Sequence, residues 1–301
     1  MATLAVPGAD TIRSSVNCRV CDSVRFTAYL EGRGYRLVEC LDCGLRYINP
    51  QPTDLELRAF YADFDSHSTW RGDGEERFDR AMRDIVVRFR KSGFVLDIGS
   101  SRGNFLLAMR NVGFSVCGVE PSPKNSEFAR SVNGVETYTG SIEEFLLTPS
   151  RRNFDVMTML NVIEHLKEPK AVLCGLHSLL SDQGIIVLVV PDARLHAFVG
   201  RMRRGLGLSD PFLMKNEQRP LVGFDPPAHI CSFEPRLITR LVEGCGFQKV
   251  LVRNAPIILT KDTWKNLLKP VLFTSAQMLY YLSLRKIVVG YSTVLVARKA
   301  S

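Results

Sequence analysis

Phe94-Val-Leu-Asp-Ile-Gly-Ser-Ser-Arg-Gly-Asn-Phe-Leu106 is the stretch that decides the fold. Phe94, Val95, Leu96 and Ile98 read as a short buried strand, interrupted by Asp97 and stopped by Gly99. A helix is expected to start near Gly103, with Phe105, Leu106 and Met109 on its apolar face. A strand, a glycine loop and a helix in that order bring the backbone close to a ligand and offer it the helix's N-terminal N–H groups. The next strand, residues 114–119, ends at Glu120, 17 residues past Gly103. A carboxylate there can accept both hydroxyls of a ribose.

Two ligands compete for such a loop. A dinucleotide site shows G-x-G-x-x-G, which seats a pyrophosphate, whereas this loop has only Gly99 and Gly103, preceded by the acidic Asp97. A carboxylate at that point repels a pyrophosphate and attracts an amino group. The loop therefore favours a nucleoside amino acid, S-adenosylmethionine, over NAD.

The motifs that follow extend this reading. Val95-Leu-Asp-Ile-Gly-Ser-Ser-Arg-Gly103 resembles motif I of the class I S-adenosylmethionine-dependent methyltransferases, and Cys117-Gly-Val-Glu-Pro-Ser122 resembles their second-strand motif. Thr139-Gly-Ser-Ile-Glu-Glu-Phe145 is similar to the loop that flanks adenine. Phe154-Asp-Val-Met-Thr-Met-Leu-Asn-Val-Ile-Glu-His-Leu166 resembles motif IV in its E-H-L form, and residues 181–191 resemble the turn and fifth strand. The resemblance covers residues 90–255, and residues 291–299 suit the final strand. It implies an α/β, doubly wound, mostly parallel seven-stranded sheet of Rossmann-like topology.

By that resemblance Asp97, Gly99, Ser101 and Gly103 line the methionine end of the cofactor, and Glu120 holds its ribose. Ser141 and Ile142 flank the adenine, while Leu160 and Asn161 close the floor below the sulfonium. Ser101 departs from the usual middle glycine, and Gln183 from the first glycine of a Gly-Gly turn. His165, which follows the fourth strand, and His229, which precedes a helix over 234–244, are the candidate bases, since an imidazole titrates near neutrality. Glu164 is expected to point away from His165 on a regular backbone. Quinone-pathway O-methyltransferases similar to this segment hold a divalent metal with Glu-x-x-Glu-His. Asn161 stands in place of the first glutamate, so no such metal is expected. Asp225-Pro226-Pro227 is not the motif of base-methylating enzymes, which belongs where Leu160-Asn161-Val162-Ile163 stands.

The eight cysteines divide in two. Cys18, Cys21, Cys40 and Cys43 form two C-x2-C pairs with tetrahedral zinc spacing, joined by residues 24–38, which alternate enough to make a hairpin. Four protein ligands leave no open position, so the zinc is read as structural. Such a unit has too little core to fold without metal. Cys117, Cys174, Cys231 and Cys245 are isolated and read as small buried hydrophobes. The N-terminal segment also resembles a zinc-binding segment fused to a subset of these methyltransferases, including its Asn49-Pro50 and Phe60-Tyr61 ending. The expected division is a zinc module over 1–53, linking helices over 54–92, and a methyltransferase domain over 93–301 with insertions at 192–233 and 261–286.

Composition sets the outer bounds. With 301 residues, 46 % hydrophobic and 23 % charged, the chain has ordinary globular composition, which excludes disorder and fibrous repeats. The absence of a signal-like N-terminus points to a cytoplasmic protein. The formal charge of +8 is unevenly placed, because residues 194–301 hold 17 Lys/Arg against 6 Asp/Glu. A positive field of this kind suits an anionic or lipid-linked small-molecule acceptor, a nucleic acid or an anionic membrane. The 192–233 insertion, with Arg201, Arg203, Arg204, Lys215 and Arg219, reads as a substrate-selecting lid. Residues 264–284 carry an amphipathic stripe, interrupted at Pro270, for a membrane interface, the lid or a second subunit. O-Methylation of a small-molecule, glycan- or lipid-pathway acceptor is the favoured activity. A zinc-ribbon RNA methyltransferase and a non-catalytic cofactor-binding scaffold are the alternatives.

Overall fold

The computed structural model describes residues 12–32, 34–64, 73–148, 152–192, 194, 226–256, 263–283, 288 and 290–300, without the side chains of 30, 32, 73–75 and 263–272. Two sheets organise it. The smaller is antiparallel and built from β1 (Phe26–Gly32), β2 (Tyr35–Cys40), β3 (Arg46–Ile48) and the two-residue β9 (Cys231–Ser232), in that order. β1 and β2 form the hairpin expected over 24–38, shifted slightly along the chain, with Phe26 opposite Cys40.

The larger sheet has seven strands in the order β10-β11-β8-β7-β4-β5-β6. They are β4 (Phe94–Ile98), β5 (Ser115–Glu120), β6 (Thr137–Thr139), β7 (Phe154–Leu160), β8 (Leu180–Pro191), β10 (Phe247–Asn254) and β11 (Ser292–Lys299). The strands from β4 to β8 run parallel, and β11 is antiparallel to both β8 and β10. This is the Rossmann-like methyltransferase sheet expected from motif I. Chain order reverses at β4, which lies between β5 and β7, and ligands in such sheets bind beyond the carboxyl ends at that switch point.

The central strands bury both faces, so their residues divide by parity between two cores. Leu96, Ile98, Met157, Met159, Ile186, Leu188 and Leu295 face one cluster, and Val95, Val156, Val187, Val189, Val294 and Val296 the other. Helix α2 (Asp73–Phe89) closes the second cluster with Phe78, Met82, Ile85 and Val86, against Phe105, Leu106 and Met109 of α3 (Asn104–Arg110). The 78/82/85/86 spacing is one face of a 3.6-residue helix.

The first cluster does not stop at the main sheet. Cys18, Val38, Cys40, Leu45 and Tyr47 belong to the same continuous set of buried residues as Leu96 and Leu173. The N-terminal unit thus gains from its neighbour the apolar cover that its own short sequence lacks.

The remaining helices are α1 (Asp54–Asp63), α4 (Pro123–Ser131), α5 (Ile142–Leu147), α6 (Pro169–Leu179), α7 (Pro235–Gly244) and α8 (Thr263–Leu282). Thr53 caps α1 and Ser141 caps α5, each in a capping box with a glutamate three residues on. Helix α8 runs unbroken across Pro270, where the sequence reading places a kink or a new start, and leaves Met278, Leu279, Tyr281 and Leu282 exposed. Among the described residues, no helix is long and apolar enough to cross a membrane. Most of the 192–233 lid, and the side chains from Trp264 to Leu272, lie outside the described residues.

Candidate active site at the carboxyl edge

The carboxyl ends of β4, β5 and β7 carry the residues singled out from the sequence. Asp97 and Thr158 are register partners on β4 and β7, and the Thr158 hydroxyl donates to Asp97 Oδ1. Burial pushes the Asp97 carboxyl up to about 8 against that hydrogen bond. At the end of β5, Glu120 accepts the N–H of Ser101 on Oε2 and that of Ser122 on Oε1, both at 2.8 Å. Burial again dominates and raises Glu120 to about 7.

The loop between β4 and α3 is wound left-handed at three points, Gly99 (φ +70°), Ser101 (φ +50°) and Gly103 (φ +78°). At Gly99 a Cβ would meet Val162 Cγ2 at 2.5 Å, so glycine is needed both for the turn and for the approach of motif IV. Ser101 takes the same conformation with a side chain, which strains it by about 1–3 kcal/mol. Asn161 is also left-handed, with φ +58°, and turns the chain just after β7. Ser141 spends its hydroxyl accepting the N–H of Glu144, while Ile142 is buried behind it. Leu160 ends β7 beside Asn161.

Helix α1 lies across this edge, a placement the motifs alone do not reveal. Ser122 Oγ donates to the Phe64 carbonyl at 2.8 Å, Lys124 pairs with Asp63 at 3.4 Å, and Arg58 with Glu144 at 3.1 Å. Burial, with the charges of Glu120, Glu143 and Glu164, pushes the Tyr61 phenol upward. Tyr61 therefore lies within electrostatic reach of these carboxylates, and the Phe60-Tyr61 pair at the end of the N-terminal segment is its only sequence signal.

The two candidate histidines meet. Their ring centroids are 4.5 Å apart at 39°. His165 lies in the 3-10 turn Ile163–His165, and its Nδ1 is 3.0 Å from the Ala228 carbonyl. A carbonyl only accepts, so Nδ1 carries the proton and Nε2 the lone pair. Burial pushes His165 down to about 4, which keeps it neutral near pH 7.

Glu164 corrects the expectation that it points away. The tight 3-10 turn brings its buried Oε1 to 4.0 Å from His165 Nε2, and neither Glu164 oxygen has a hydrogen-bond partner among the described residues. Glu164, His165 and His229 each place a ligand atom within 4.8 Å of the others, an arrangement able to take a divalent cation. Asn161 in place of the first glutamate argues against that ion along the chain, where nothing places His229 beside the pair.

Burial raises the Glu164 carboxyl to about 8, from an ordinary value of about 4.3. Between those values the unfolded chain has lost its proton and the folded chain keeps it, so stability falls as pH rises and levels off above about 8. Glu164→Gln is expected to remove this fall. Its stability relative to the parent should grow by a few kcal/mol between about pH 5 and about pH 9, read from thermal melts with no divalent cation added. A difference independent of pH would show an ordinary carboxylate.

The segment bearing His229 is held from both sides. Ile230 N–H donates to the Glu164 carbonyl at 2.8 Å, and the Ile230 carbonyl accepts the Ile48 N–H at 2.9 Å. Tyr47 and Arg46 of β3 pair with Cys231 and Ser232. The first cysteine turn docks onto the start of α6 through Arg19–Glu168 at 3.0 Å and Lys170–Asp22 at 3.1 Å.

Cys18, Cys21, Cys40 and Cys43 converge, with every Sγ within 4.8 Å of the others and Cys18–Cys43 and Cys21–Cys40 both at 3.5 Å. Sulfurs on a tetrahedron with Zn–S of about 2.3 Å stand about 3.8 Å apart, so the four thiols fit a zinc ion. Asp22 and Gly44, each directly after the second cysteine of its pair, are left-handed and turn the chain back around the site.

Comparison with known proteins agrees with this architecture. The methyltransferase-domain profile matches residues 74–252. A mitochondrial ubiquinone biosynthesis O-methyltransferase of Schizosaccharomyces pombe is 30 % identical over 137 residues, covering 40 % of this chain and 49 % of that one. An uncharacterized methyltransferase of Alkaliphilus oremlandii is 30 % identical over 118 residues, 38 % of this chain and 53 % of its own. The chain spans about half the length of these curated relatives. Among solved structures, magnesium protoporphyrin IX methyltransferase from Synechocystis with bound SAH superposes with a TM-score of 0.52 at 16 % identity, over 81 % of this chain and 98 % of that one. A SAM-dependent methyltransferase from Archaeoglobus fulgidus gives 0.50 at 18 % identity, over 78 % and 98 %. With the profile covering more than half of its residues, on a sheet of this order, the chain belongs to the methyltransferase-domain family.

Proposed function

We propose that the protein is an S-adenosylmethionine-dependent methyltransferase acting on a hydroxyl of a small-molecule, glycan- or lipid-pathway acceptor. The observation that carries this is the pair of buried carboxylates, Asp97 and Glu120, at the carboxyl ends of adjacent parallel strands around a left-handed loop. Both are raised by burial, so both gain from a ligand that brings positive charge or hydroxyl donors. The amino group and ribose of S-adenosylmethionine supply that donor set, and the cofactor, when bound, supplies an electrophilic methyl group. The relatives named for ubiquinone O-methylation support the acceptor class. So does the exposed apolar end of α8, which suits a lipid-linked acceptor.

In this reading Asp97 orients the amino group, Glu120 fixes the ribose, and Ser141 and Ile142 bound the adenine. Leu160 and Asn161 shape the floor where the methyl is passed on. His229 takes the acceptor's proton, and neutral His165 holds the 228–230 backbone that carries it. Glu164 lies beside both rings. Cys18, Cys21, Cys40 and Cys43 hold a structural zinc in the 1–53 module, outside the reaction.

Asp97→Asn and Glu120→Gln are each expected to weaken cofactor binding at least about tenfold, the effect of losing one charged hydrogen bond of roughly 1.5–3 kcal/mol. The thermal midpoint should stay near or above the parent's. Calorimetric titration showing parental affinity in both would remove the site from this edge. Incubation with methyl-labelled cofactor and separate metabolite, lipid and RNA extracts, read by mass spectrometry, tests the acceptor. Label in RNA alone would support a nucleic-acid enzyme, and cofactor binding without label in any extract would support a scaffold.

A further inference from the structure

Two cysteines outside the zinc cluster lie against each other. Cys174, in the middle of α6, and Cys245, which closes α7, are 71 positions apart, and their Sγ atoms are 2.6 Å apart. Nonbonded heavy atoms rest roughly 3.5–4.0 Å apart, and a disulfide bond measures about 2.05 Å, so the pair stands near bonding distance. Cys174 is exposed, whereas Cys245 is buried and directs its thiol to the Lys170 carbonyl at 3.4 Å. The Lys170 ammonium lies within electrostatic reach of both sulfurs. Isolated in sequence, the two read as separate hydrophobes; only the packing of α6 on α7 brings them together.

We propose that Cys174 and Cys245 form a reversible disulfide between α6 and α7 when the protein meets a hydroperoxide. Cys174 is the sulfur that solvent can reach, and the thiolate is the form of a cysteine that attacks. That thiolate attacks one oxygen of hydrogen peroxide. The O–O bond breaks, water leaves after protonation, and Cys174 becomes a sulfenic acid. Cys245 then attacks the Cys174 sulfur. The S–O bond breaks, the Cys245 proton accompanies the departing oxygen as a second water, and the S–S bond forms. Two thiols and one peroxide yield one disulfide and two waters, with two electrons passing from sulfur to peroxide.

Burial keeps Cys245 a thiol and reserves it for its neighbour. The four thiols of the zinc cluster are separate, and Cys117 and Cys231 are buried. The bond joins two helices whose leading segments carry His165 and His229, four residues before Pro169 and six before Pro235. It needs neither the cofactor nor the acceptor, so it stands or falls apart from the proposed activity.

The test uses the full chain, with metal content measured before and after. After treatment with one equivalent of hydrogen peroxide, free thiols are blocked and the protein is digested without reductant. Mass spectrometry is expected to find a peptide linked through Cys174 and Cys245. The link should vanish with dithiothreitol, and the oxidised protein should melt at a higher temperature than the reduced one. Cys245→Ser should leave a sulfenic acid on Cys174 that dimedone traps, and Cys174→Ser, at an exposed site, should leave Cys245 reduced. Full alkylation of both cysteines after peroxide would overturn the proposal. Passage of Cys174 to sulfinic acid with no linked peptide would do the same.

Discussion

Cys40→Ser is expected to release the metal and unfold the 12–53 unit, with a loss of order that extends to His229. Structural zinc on a thiolate set of this kind contributes roughly 10–16 kcal/mol in small peptides, comparable with the whole stability of a typical domain. The path to the cleft is short. Ile48 bonds to Ile230, β3 pairs with Cys231 and Ser232, and Ile230 bonds to Glu164. Removing the small sheet frees one side of the segment that carries His229, while motif I, held by β4, β5 and β7, stays in place. Hydrogen exchange should therefore show protection lost at residues 46–48 and 230–232 and retained at 94–98, with cofactor affinity within about threefold of the parent. Methyl transfer should fall with the lost order. One zinc retained per chain in the variant, or unchanged protection at 230–232, would show that the cysteines neither hold the ion nor brace the site.

His229→Ala is expected to lower turnover by roughly 10² to 10⁴, the range of a lost general base, with little change in cofactor affinity. In the proposed O-methylation the hydroxyl proton has to leave as the methyl arrives, and the His229 ring lies tilted against a neutral His165. His165→Ala acts differently. It removes the hydrogen bond to the Ala228 carbonyl and should lower stability by about 1–3 kcal/mol, with activity falling as folded protein is lost. Turnover measured per folded molecule separates the two. Equal residual rates in both variants, after correction for folding, would remove the base from His229. Alignment of the two reactants would then carry the reaction.

Much of this molecule is legible along the chain, because the signals involved are local. Val95, Leu96 and Ile98 before Gly99 announce a buried strand and a left-handed turn. The 78/82/85/86 spacing announces a helix, and two C-x2-C pairs across a hairpin announce a cysteine-lined site. Each depends on neighbours within a turn or two, where backbone geometry leaves few choices. The ordered motifs add the sheet, since right-handed crossovers restrict how such strands can be arranged.

Tertiary structure alone decided the rest. Glu164 reads as pointing away from His165 until a 3-10 turn folds it back. His165 and His229 are 64 positions apart, and their rings meet because β9 pairs with β3 and Ile230 bonds to Glu164. Cys174 and Cys245 became a pair, and Tyr61 a neighbour of Glu120 and Glu164, through helix packing that no spacing rule encodes. Sequence patterns record which face of an element is apolar; which elements then meet is set by the joint burial of those faces, a property of the whole chain.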